Sequence, residues 1–264
     1  DIFPDVEAIQ RQFHHFVRTV PRRGRLIVNG EDARLAEVLA MGCWTPVERF
    51  GLDGGDYRWT ARLIAADGSE FAVVRDGVDV GAVRWPLLGR HNVMNALAAL
   101  AAASAVGVDI ASILPSLSTF NSVKRRMEVV GVAGDVTVYD DFAHHPTAIA
   151  TTVGGLRQKI GSTGRILAVL EPRSNTMKLG AMKDALPGSL KDADLVFGFG
   201  SQQALGWSLA DAFKPMGTIA HSFDQIDYMV QAIVQAAQPG DHILVMSNGG
   251  FGGIHQQLLE ALAK

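Results

Sequence analysis

The second half of the sequence alternates regularly between short apolar runs and longer helix-like segments, and this alternation constrains the fold more than any other feature. The apolar runs have strand length and fall at residues 136–139, 165–170, 194–197, 217–220 and 242–246. Repeated alternation of strand and helix produces a parallel sheet that is covered by helices on both faces. Residues 123–264 are therefore predicted to form an α/β domain with a Rossmann-like, doubly wound, mostly parallel sheet.

Residues 1–122 have a different pattern and are predicted to form a separate unit, with the boundary at Asn121-Ser122. Strand-like runs between residues 57 and 85 are joined by Asp67-Gly68 and Asp76-Gly77, which are turn dipeptides of antiparallel hairpins. A strand at 25–28 and the helix after it make a single β-α unit, which is too little for a parallel sheet. We therefore expect a small antiparallel sheet here, followed by an Ala-rich helix that opens near Gly89.

Composition narrows the class of protein. The chain has 264 residues, 48% of them hydrophobic, and its 24 basic and 27 acidic residues give a net charge of -3. This balance argues against a general attraction to nucleic acid or to anionic membranes, and we expect neither as a partner. The single cysteine, Cys43, excludes an internal disulfide and a multi-thiolate metal site, and it fits a reducing cytoplasm.

Polar residues gather where the predicted strands of the second unit end. They are Asp140 and Asp141 after the first strand, Glu171, Arg173, Ser174 and Asn175 after the second, Gly198 and Gly200 after the third, and Ser247, Asn248, Gly249 and Gly250 after the fifth. The carboxyl ends of parallel strands meet at one edge, so we expect a ligand crevice there. Backbone N–H groups of the 247–253 turn are suited to a carboxylate or phosphate, although plain turn chemistry remains an alternative.

Two further motifs carry polar groups suited to a nucleotide. Lys124-Arg125-Arg126 is either a solvated linker or a phosphate clamp. His91, Asn92 and Asn95 stand at a helix start, where they can bind a purine edge, or where Asn92 can cap the helix.

Other nucleotide motifs are incomplete in this sequence. No Gly-Lys dipeptide occurs, so a Walker-type P-loop is lacking. Gly198-Phe199-Gly200 approaches a dinucleotide fingerprint, but Gln203 replaces its third glycine. Two alternatives from other classes remain. One is a nicotinamide-dependent dehydrogenase, although the missing third glycine counts against it, and the other is a non-catalytic binding module, which the missing P-loop makes plausible.

Three motifs, in this order, resemble those of the Mur ligase family, the ATP-dependent amide ligases of peptidoglycan synthesis. They are Gly89-Arg90-His91-Asn92-Val93-Met94-Asn95-Ala96-Leu97, Lys124-Arg125-Arg126-Met127-Glu128, and Asp140-Asp141-Phe142-Ala143-His144-His145-Pro146-Thr147. Residues 171–180 and 247–253 are most similar to the recycling branch, which joins L-alanyl-γ-D-glutamyl-meso-diaminopimelate, the murein tripeptide, to UDP-N-acetylmuramate. The branch that adds L-alanine is the alternative within the family.

The resemblance implies an activity and a set of roles. The muramate carboxylate would be phosphorylated by ATP with Mg²⁺, and the peptide amine would then attack the acyl phosphate. His91, Asn92 and Asn95 would contact adenine, Arg126 the phosphates, and Asp141, or alternatively Asp140, the ribose. The amine-substrate pocket would comprise Arg173, Ser174, Asn175, His144, His145, Ser247, Asn248, Gly249, Gly250 and Phe251, with Arg126 and His145 as catalytic residues. No metal ligand is predicted here, because the resemblance suggests a fragment without the P-loop and metal-binding part, inactive on its own.

Overall fold

The computed structural model describes residues 2–53 and 55–264. By its internal contacts the chain divides into two compact units, one ending at Asn121 and the other spanning Ser122–Lys264. No helix in the described ranges combines the length and the apolarity needed to cross a bilayer.

The first unit is a five-stranded sheet with helices. Its elements are α1 Val6–Thr19, β1 Leu26–Asn29, α2 Ala33–Ala40, β2 Val47–Phe50, β3 Trp59–Leu63, β4 Glu70–Arg75, β5 Val78–Arg84, α3 Arg90–Ala105 and α4 Ile110–Ser118. The sheet order is β1-β2-β3-β4-β5. Strands β3, β4 and β5 form the predicted antiparallel hairpins, whereas β2 was not predicted and pairs in parallel with β1 and β3. The predicted small antiparallel sheet is therefore present as β3-β4-β5, and the two parallel strands β1 and β2 extend it at one edge.

Helix α3 covers the sheet of the first unit. Val93 and Leu97 on the helix are fully buried, as are Trp59 and Phe71 on the strands beneath it. The core fixes the start of α3, and the three predicted purine-binding residues lie in its first two turns.

The second unit has a six-stranded sheet in the order β10-β9-β8-β11-β7-β6. Its elements are β6 Glu128–Ala133, β7 Val136–Asp141, α5 Pro146–Ile160, β8 Ile166–Leu170, α6 Asn175–Lys178, α7 Leu186–Ser189, β9 Leu195–Phe199, α8 Gln202–Leu205, α9 Leu209–Phe213, β10 Ala220–Phe223, α10 Ile226–Ala236, β11 His242–Met246 and α11 Ile254–Leu262. All neighbouring strands are parallel except β6, which runs antiparallel to β7. The predicted doubly wound, mostly parallel sheet is confirmed.

Three details of the second unit differ from the prediction. Strand β6 was missed, and β10 begins three residues after the predicted start at 217. Asp140 and Asp141 are the last residues of β7, not part of the turn that follows it. Pro146 does stand at the first position of α5, where its missing N–H costs nothing.

The central strands are buried on both faces. Tyr139 and Leu244 belong to the core beneath α5, whereas Val138 and Ile243 belong to the core beneath α10 and α11. Successive strand residues point to opposite faces, so Asp140 and Asp141 are directed to opposite sides of the sheet.

Candidate functional site

The ends of three neighbouring strands form the candidate site in the second unit. Met246 of β11 is paired with Asp141 of β7 on one side and with Leu170 of β8 on the other. The residues that follow these strands are therefore neighbours, and Ser247 Oγ donates a hydrogen bond of 2.6 Å to Glu171 Oε2. The polar groups predicted at this edge are in part brought together.

Asp141 is buried, with 3% of its surface exposed, and its carboxylate is already occupied. Oδ2 accepts from Met127 N at 2.8 Å, and Oδ1 accepts from Ala143 N at 2.8 Å and Thr152 Oγ1 at 3.3 Å. Burial raises the pKa of Asp141, against the opposing effect of these hydrogen bonds and of the Arg126 charge. Asp141 therefore connects Met127, which follows Arg126, and Ala143, which follows Phe142, to the end of β7. Its role toward ribose remains a prediction.

Asp140, on the other face, contacts two basic side chains. Its Oδ2 accepts from Arg125 Nε at 3.1 Å, and its Oδ1 lies 3.3 Å from His255 Nε2. The second contact lacks hydrogen-bond geometry, so these two buried atoms have no hydrogen-bond partner among the described residues, and they form an ion pair only when His255 is protonated. Burial lowers the pKa of His255, although Asp140 opposes the shift. His255 was missed from the sequence, because a lone histidine one residue into α11 has no distinguishing pattern.

Arg125 and Arg126 occupy different environments although they are adjacent. Arg125 Nη2 donates to Ser247 O at 2.6 Å and to Gly249 O at 2.9 Å. Arg126 is exposed, and its guanidinium lies 5.5 Å from the centre of the Phe142 ring. The solvated-linker interpretation is therefore wrong for Arg125, whereas Arg126 remains accessible to an anion.

The 247–251 turn lies against Arg173. A Cβ atom on Gly249 would come within 1.9 Å of Arg173 Nη1, so any larger residue here would displace the Arg173 guanidinium. The Arg173 side chain is 49% exposed and its Nη1 is 3.9 Å from Glu171 Oε2, a long contact that leaves the guanidinium available.

The other residues predicted for the amine-substrate pocket have structural contacts. Ser174 caps α6 by accepting from Met177 N, and Asn175 begins that helix. Phe251 is 2% exposed and packs 5.6 Å from the ring of Phe199. The ring of Phe251 therefore belongs to the core, and its part in the pocket remains a prediction.

The two histidines after β7 stabilise the start of α5. His145 is the N-cap residue, and its Nδ1 accepts from Thr147 N at 3.4 Å. His144 Nδ1 contacts Phe142 O at 2.9 Å, and its ring stands edge-on to the Phe142 ring at 5.3 Å. The helix-cap interpretation of this stretch therefore holds for His145, alongside any role in binding.

In the first unit, His91, Asn92 and Asn95 lie at the start of α3. The side chain of Asn92 donates from Nδ2 to Leu88 O at 2.7 Å and does not cap the helix, so the capping alternative is wrong. His91 and Asn95 are exposed.

An acidic cluster that was not predicted holds Arg90, the first residue of α3. Arg90 donates to Glu31 at 2.6 Å and to Asp53 at 2.7 Å. Burial pushes the pKa of Glu31 upward, but hydrogen bonds from Arg90 and from two backbone N–H groups outweigh it and the pKa is lowered. A cavity of about 500 Å³ borders Asp53, Arg62 and Arg90. The ion pairs of Arg90 with Glu31 and Asp53 thus stabilise the start of α3, next to the residues predicted to contact the purine.

Two further features bear on cofactors. A Cβ on Gly198 would come within 2.6 Å of Phe213, so this glycine serves close packing and not a phosphate. Within the described residues, no group of three or more His, Cys, Asp and Glu side chains is placed to hold a metal ion.

Comparisons with known proteins follow this geometry. The family model of the Mur ligase middle domain matches residues 1–103, and that of the Mur ligase glutamate ligase domain matches residues 125–249. The chain is 51% identical over its whole length to the UDP-N-acetylmuramate–L-alanyl-γ-D-glutamyl-meso-2,6-diaminoheptandioate ligase of Escherichia coli (strain K12), covering 57% of that protein. It is 29% identical to the UDP-N-acetylmuramate–L-alanine ligase of Acetivibrio thermocellus, over 98% of this chain and 57% of that protein.

A solved structure gives the same result. The murein peptide ligase of Psychrobacter arcticus 273-4 matches with a TM-score of 0.74 and 41% identity, over 99% of this chain and 56% of that one. The chain thus spans little more than half the length of these relatives. Since the two family models match in the order of the two structural units, and the identity extends over the full sequence, the chain belongs to the Mur ligase family.

Proposed function

We propose that this chain supplies nucleotide-binding and peptide-binding parts of an ATP-dependent ligase that joins L-alanyl-γ-D-glutamyl-meso-diaminopimelate to UDP-N-acetylmuramate. The observation that carries the proposal is the 51% identity over the whole chain to a relative named for this reaction. Relatives named for L-alanine addition are 29–33% identical, the higher values over about three quarters of the chain. Such a ligase uses ATP and a UDP-sugar, which are cytoplasmic metabolites, so we propose the cytoplasm as its compartment.

The peptide would bind at Arg173 and the 247–251 turn. Its diaminopimelate end carries carboxylates, which suit the planar fork of a guanidinium and a turn with free backbone N–H groups. The exposure of Arg173 and its close contact with Gly249 support this role. A further acidic residue of this unit, Asp194, pairs with Arg157 and not with Arg173.

Two groups of residues are proposed to contact the nucleotide. His91, Asn92 and Asn95 are proposed to contact adenine, and the exposed Arg126 the phosphates. Asp141 uses three of the roughly four acceptor sites of a carboxylate, so a ribose hydroxyl would take the remaining site on Oδ2 or replace Thr152, which makes the longest of these bonds at 3.3 Å. Asp140 is the alternative for ribose; its Oδ2 is bonded to Arg125, and its Oδ1 is enclosed beside His255.

The proposed reaction has two steps. The muramate carboxylate takes the γ-phosphoryl group of ATP, which gives an acyl phosphate and ADP. The peptide α-amine then attacks the acyl carbon, and phosphate leaves as the amide forms. Arg126 would offset the negative charge that develops on the phosphoryl oxygens, since a fixed cation stabilises it without reorganisation.

His145 and Mg²⁺ have narrower roles in this proposal. If His145 Nδ1 accepts from Thr147 N, the neutral ring carries its proton on Nε2 and is set to donate a hydrogen bond to an oxygen. Mg²⁺ would screen the ATP phosphates. Mg²⁺ commonly takes one or two carboxylates together with waters and substrate phosphates, and the described residues offer no group of three or more acidic, cysteine or imidazole ligands that would form a site made by the protein alone.

A chimeric ligase tests the proposal. This chain replaces the matching 57% of the Escherichia coli relative, and phosphate release is measured with ATP, UDP-N-acetylmuramate and either tripeptide or L-alanine. We expect release that depends on the tripeptide, whereas the chain alone stays at background because its sequence has no Gly-Lys dipeptide and hence no P-loop lysine. Release that depends on L-alanine instead would favour the other branch. Phosphate release by the chain alone would contradict the prediction that a P-loop outside this sequence is needed to use ATP.

A further inference from the structure

The contacts of Arg125 determine the direction of the peptide groups in the 247–251 turn. Two hydrogens of one terminal nitrogen, Nη2, are shared between Ser247 O at 2.6 Å and Gly249 O at 2.9 Å. Arg125 Nε is bonded at the same time to Asp140 Oδ2 at 3.1 Å. The guanidinium is therefore fixed by three acceptors, two of which are carbonyls of the turn.

The planarity of the peptide bond extends this constraint to the N–H groups. In a trans peptide the carbonyl and the N–H of the next residue point in opposite directions. Carbonyls of Ser247 and Gly249 that face Arg125 thus turn the N–H groups of Asn248 and Gly250 away from it. Across the described ranges, neither of these N–H groups donates a hydrogen bond, whereas the N–H of Gly249 between them is bonded to Ser247 Oγ.

The backbone around Arg125 is held in place by the second unit itself. Arg125 and Met127 have φ of 61° and 50°, left-handed values that cost roughly 1 kcal/mol or more each for residues other than glycine. Arg125 N donates to Glu128 Oε2 and Met127 N to Asp141 Oδ2, both at 2.8 Å, which stabilises the kinked conformation. Arg126 lies between these two anchored residues. The same short segment therefore sets both Arg126 and the turn.

We propose that Arg125 is a positioning residue that orients the 247–251 turn, so that the N–H groups of Asn248 and Gly250 bind a carboxylate of the peptide substrate. This inference rests on the proposed function and adds a residue and two backbone donors to its substrate site. Because Arg125 is adjacent to Arg126, it also fixes the position of the 247–251 turn, where the peptide is proposed to bind, relative to Arg126, which is proposed to bind the phosphates.

The test uses the isotopically labelled 264-residue chain and NMR titration with the tripeptide. In the parent chain we expect the tripeptide to shift the amide signals of Asn248 and Gly250, and the same peptide with its carboxylates amidated to leave them unmoved. Arg125→Ala should move these two signals before any ligand is added and weaken tripeptide binding by about tenfold or more, as expected for lost charge-assisted contacts. Arg125→Lys should bind with intermediate affinity, because an ammonium cannot reproduce the fork.

Arg157 provides a matched control at the opposite edge of the sheet. It bonds a carboxylate of Asp194 and donates to Gly161 O at 2.9 Å and Gly164 O at 2.8 Å, and its side chain is 25% exposed against 28% for Arg125. Arg157→Ala should lower the melting temperature and leave tripeptide affinity at the parent value.

The outcomes separate the inference from the proposed function. If Arg125→Ala keeps the parent signals and the parent affinity, the inference is overturned while the proposed substrate stands. An equal loss of tripeptide affinity in Arg157→Ala would also overturn the inference, because the loss in Arg125→Ala could then be explained by lower stability of the protein alone. If the tripeptide moves no signal of the 247–251 turn in the parent chain, the proposed substrate site itself is wrong.

Discussion

Replacing Asp141 by Asn is expected to destabilise the second unit even when no nucleotide is present. The carboxylate accepts from Met127 N, Ala143 N and Thr152 Oγ1, and an amide can supply only one oxygen for these three donors. With that oxygen at the Oδ1 position, the amide NH₂ faces the N–H of Met127, donor against donor. One charge-assisted hydrogen bond is worth roughly 1.5–3 kcal/mol, and its loss also frees the left-handed conformation at Met127.

Part of this loss is offset, because the substitution removes a buried charge. Burial raises the pKa of Asp141, so the ionised carboxylate carries a desolvation cost that an amide does not. We therefore expect a net loss of about 2 kcal/mol, which lowers the melting temperature by roughly 5–8 °C for a unit of this size. Thermal unfolding followed by circular dichroism measures it, with the exposed Asp224→Asn as the matched control. An unchanged melting temperature without nucleotide would refute the structural role and leave ribose binding as the function of Asp141.

Three further predictions concern binding, turnover and pH. In the chimeric ligase, Arg173→Ala should raise the KM for tripeptide by the equivalent of roughly 1.5–3 kcal/mol with little change in the KM for ATP, and Arg173→Lys should rescue poorly; lower thermal stability with intact tripeptide affinity would contradict this. Arg126→Ala should lower kcat by about 10²-fold or more, whereas parent turnover would remove it from the phosphate site. Burial, with help from Lys159, lowers the pKa of His242, so its contribution to stability is present above its unfolded pKa of about 6.5 and is lost as pH falls through the folded value. Urea unfolding at pH 7 and pH 5 should therefore lose less stability in His242→Gln than in the parent, and an equal loss would exclude His242 as the source.

The central parallel strands β7, β8, β9 and β11 were predictable because they are largely buried on both faces and consist mostly of apolar residues. The two missed strands break that rule. Strand β6 lies at the sheet edge, is interrupted by a register shift between Val129 and Gly131, and exposes its valines. Strand β2 contains Glu48, a buried carboxylate that is bonded to Trp59 Nε1 at 3.0 Å and paired with Arg25 at 2.7 Å. Partners that distant in sequence leave no local pattern.

The sequence was sufficient to predict where candidate residues lie, but not which of two adjacent residues faces the ligand. Lys124-Arg125-Arg126 reads as one basic cluster, yet Arg125 donates to the carbonyls of Ser247 and Gly249, more than a hundred residues away, while Arg126 stays exposed. The separation depends on left-handed conformations at Arg125 and Met127. Those conformations are held by Glu128 and Asp141, which is a tertiary property.

Asp140 and Asp141 show why the location of a strand end decides the chemistry. Two aspartates in a turn would both be free to face a ligand, which is how the sequence was interpreted. Because β7 continues through Asp141, the pleat sends the two carboxylates to opposite faces of the sheet. Asp141 then meets Thr152 of α5, and Asp140 meets His255 of α11 and Arg125. The two adjacent acids thereby hold the residues on both sides of Arg126: Asp140 accepts from Arg125 and Asp141 accepts from Met127. Both contacts depend on β7 continuing through Asp140 and Asp141, because the pleat of the strand directs one carboxylate to each face.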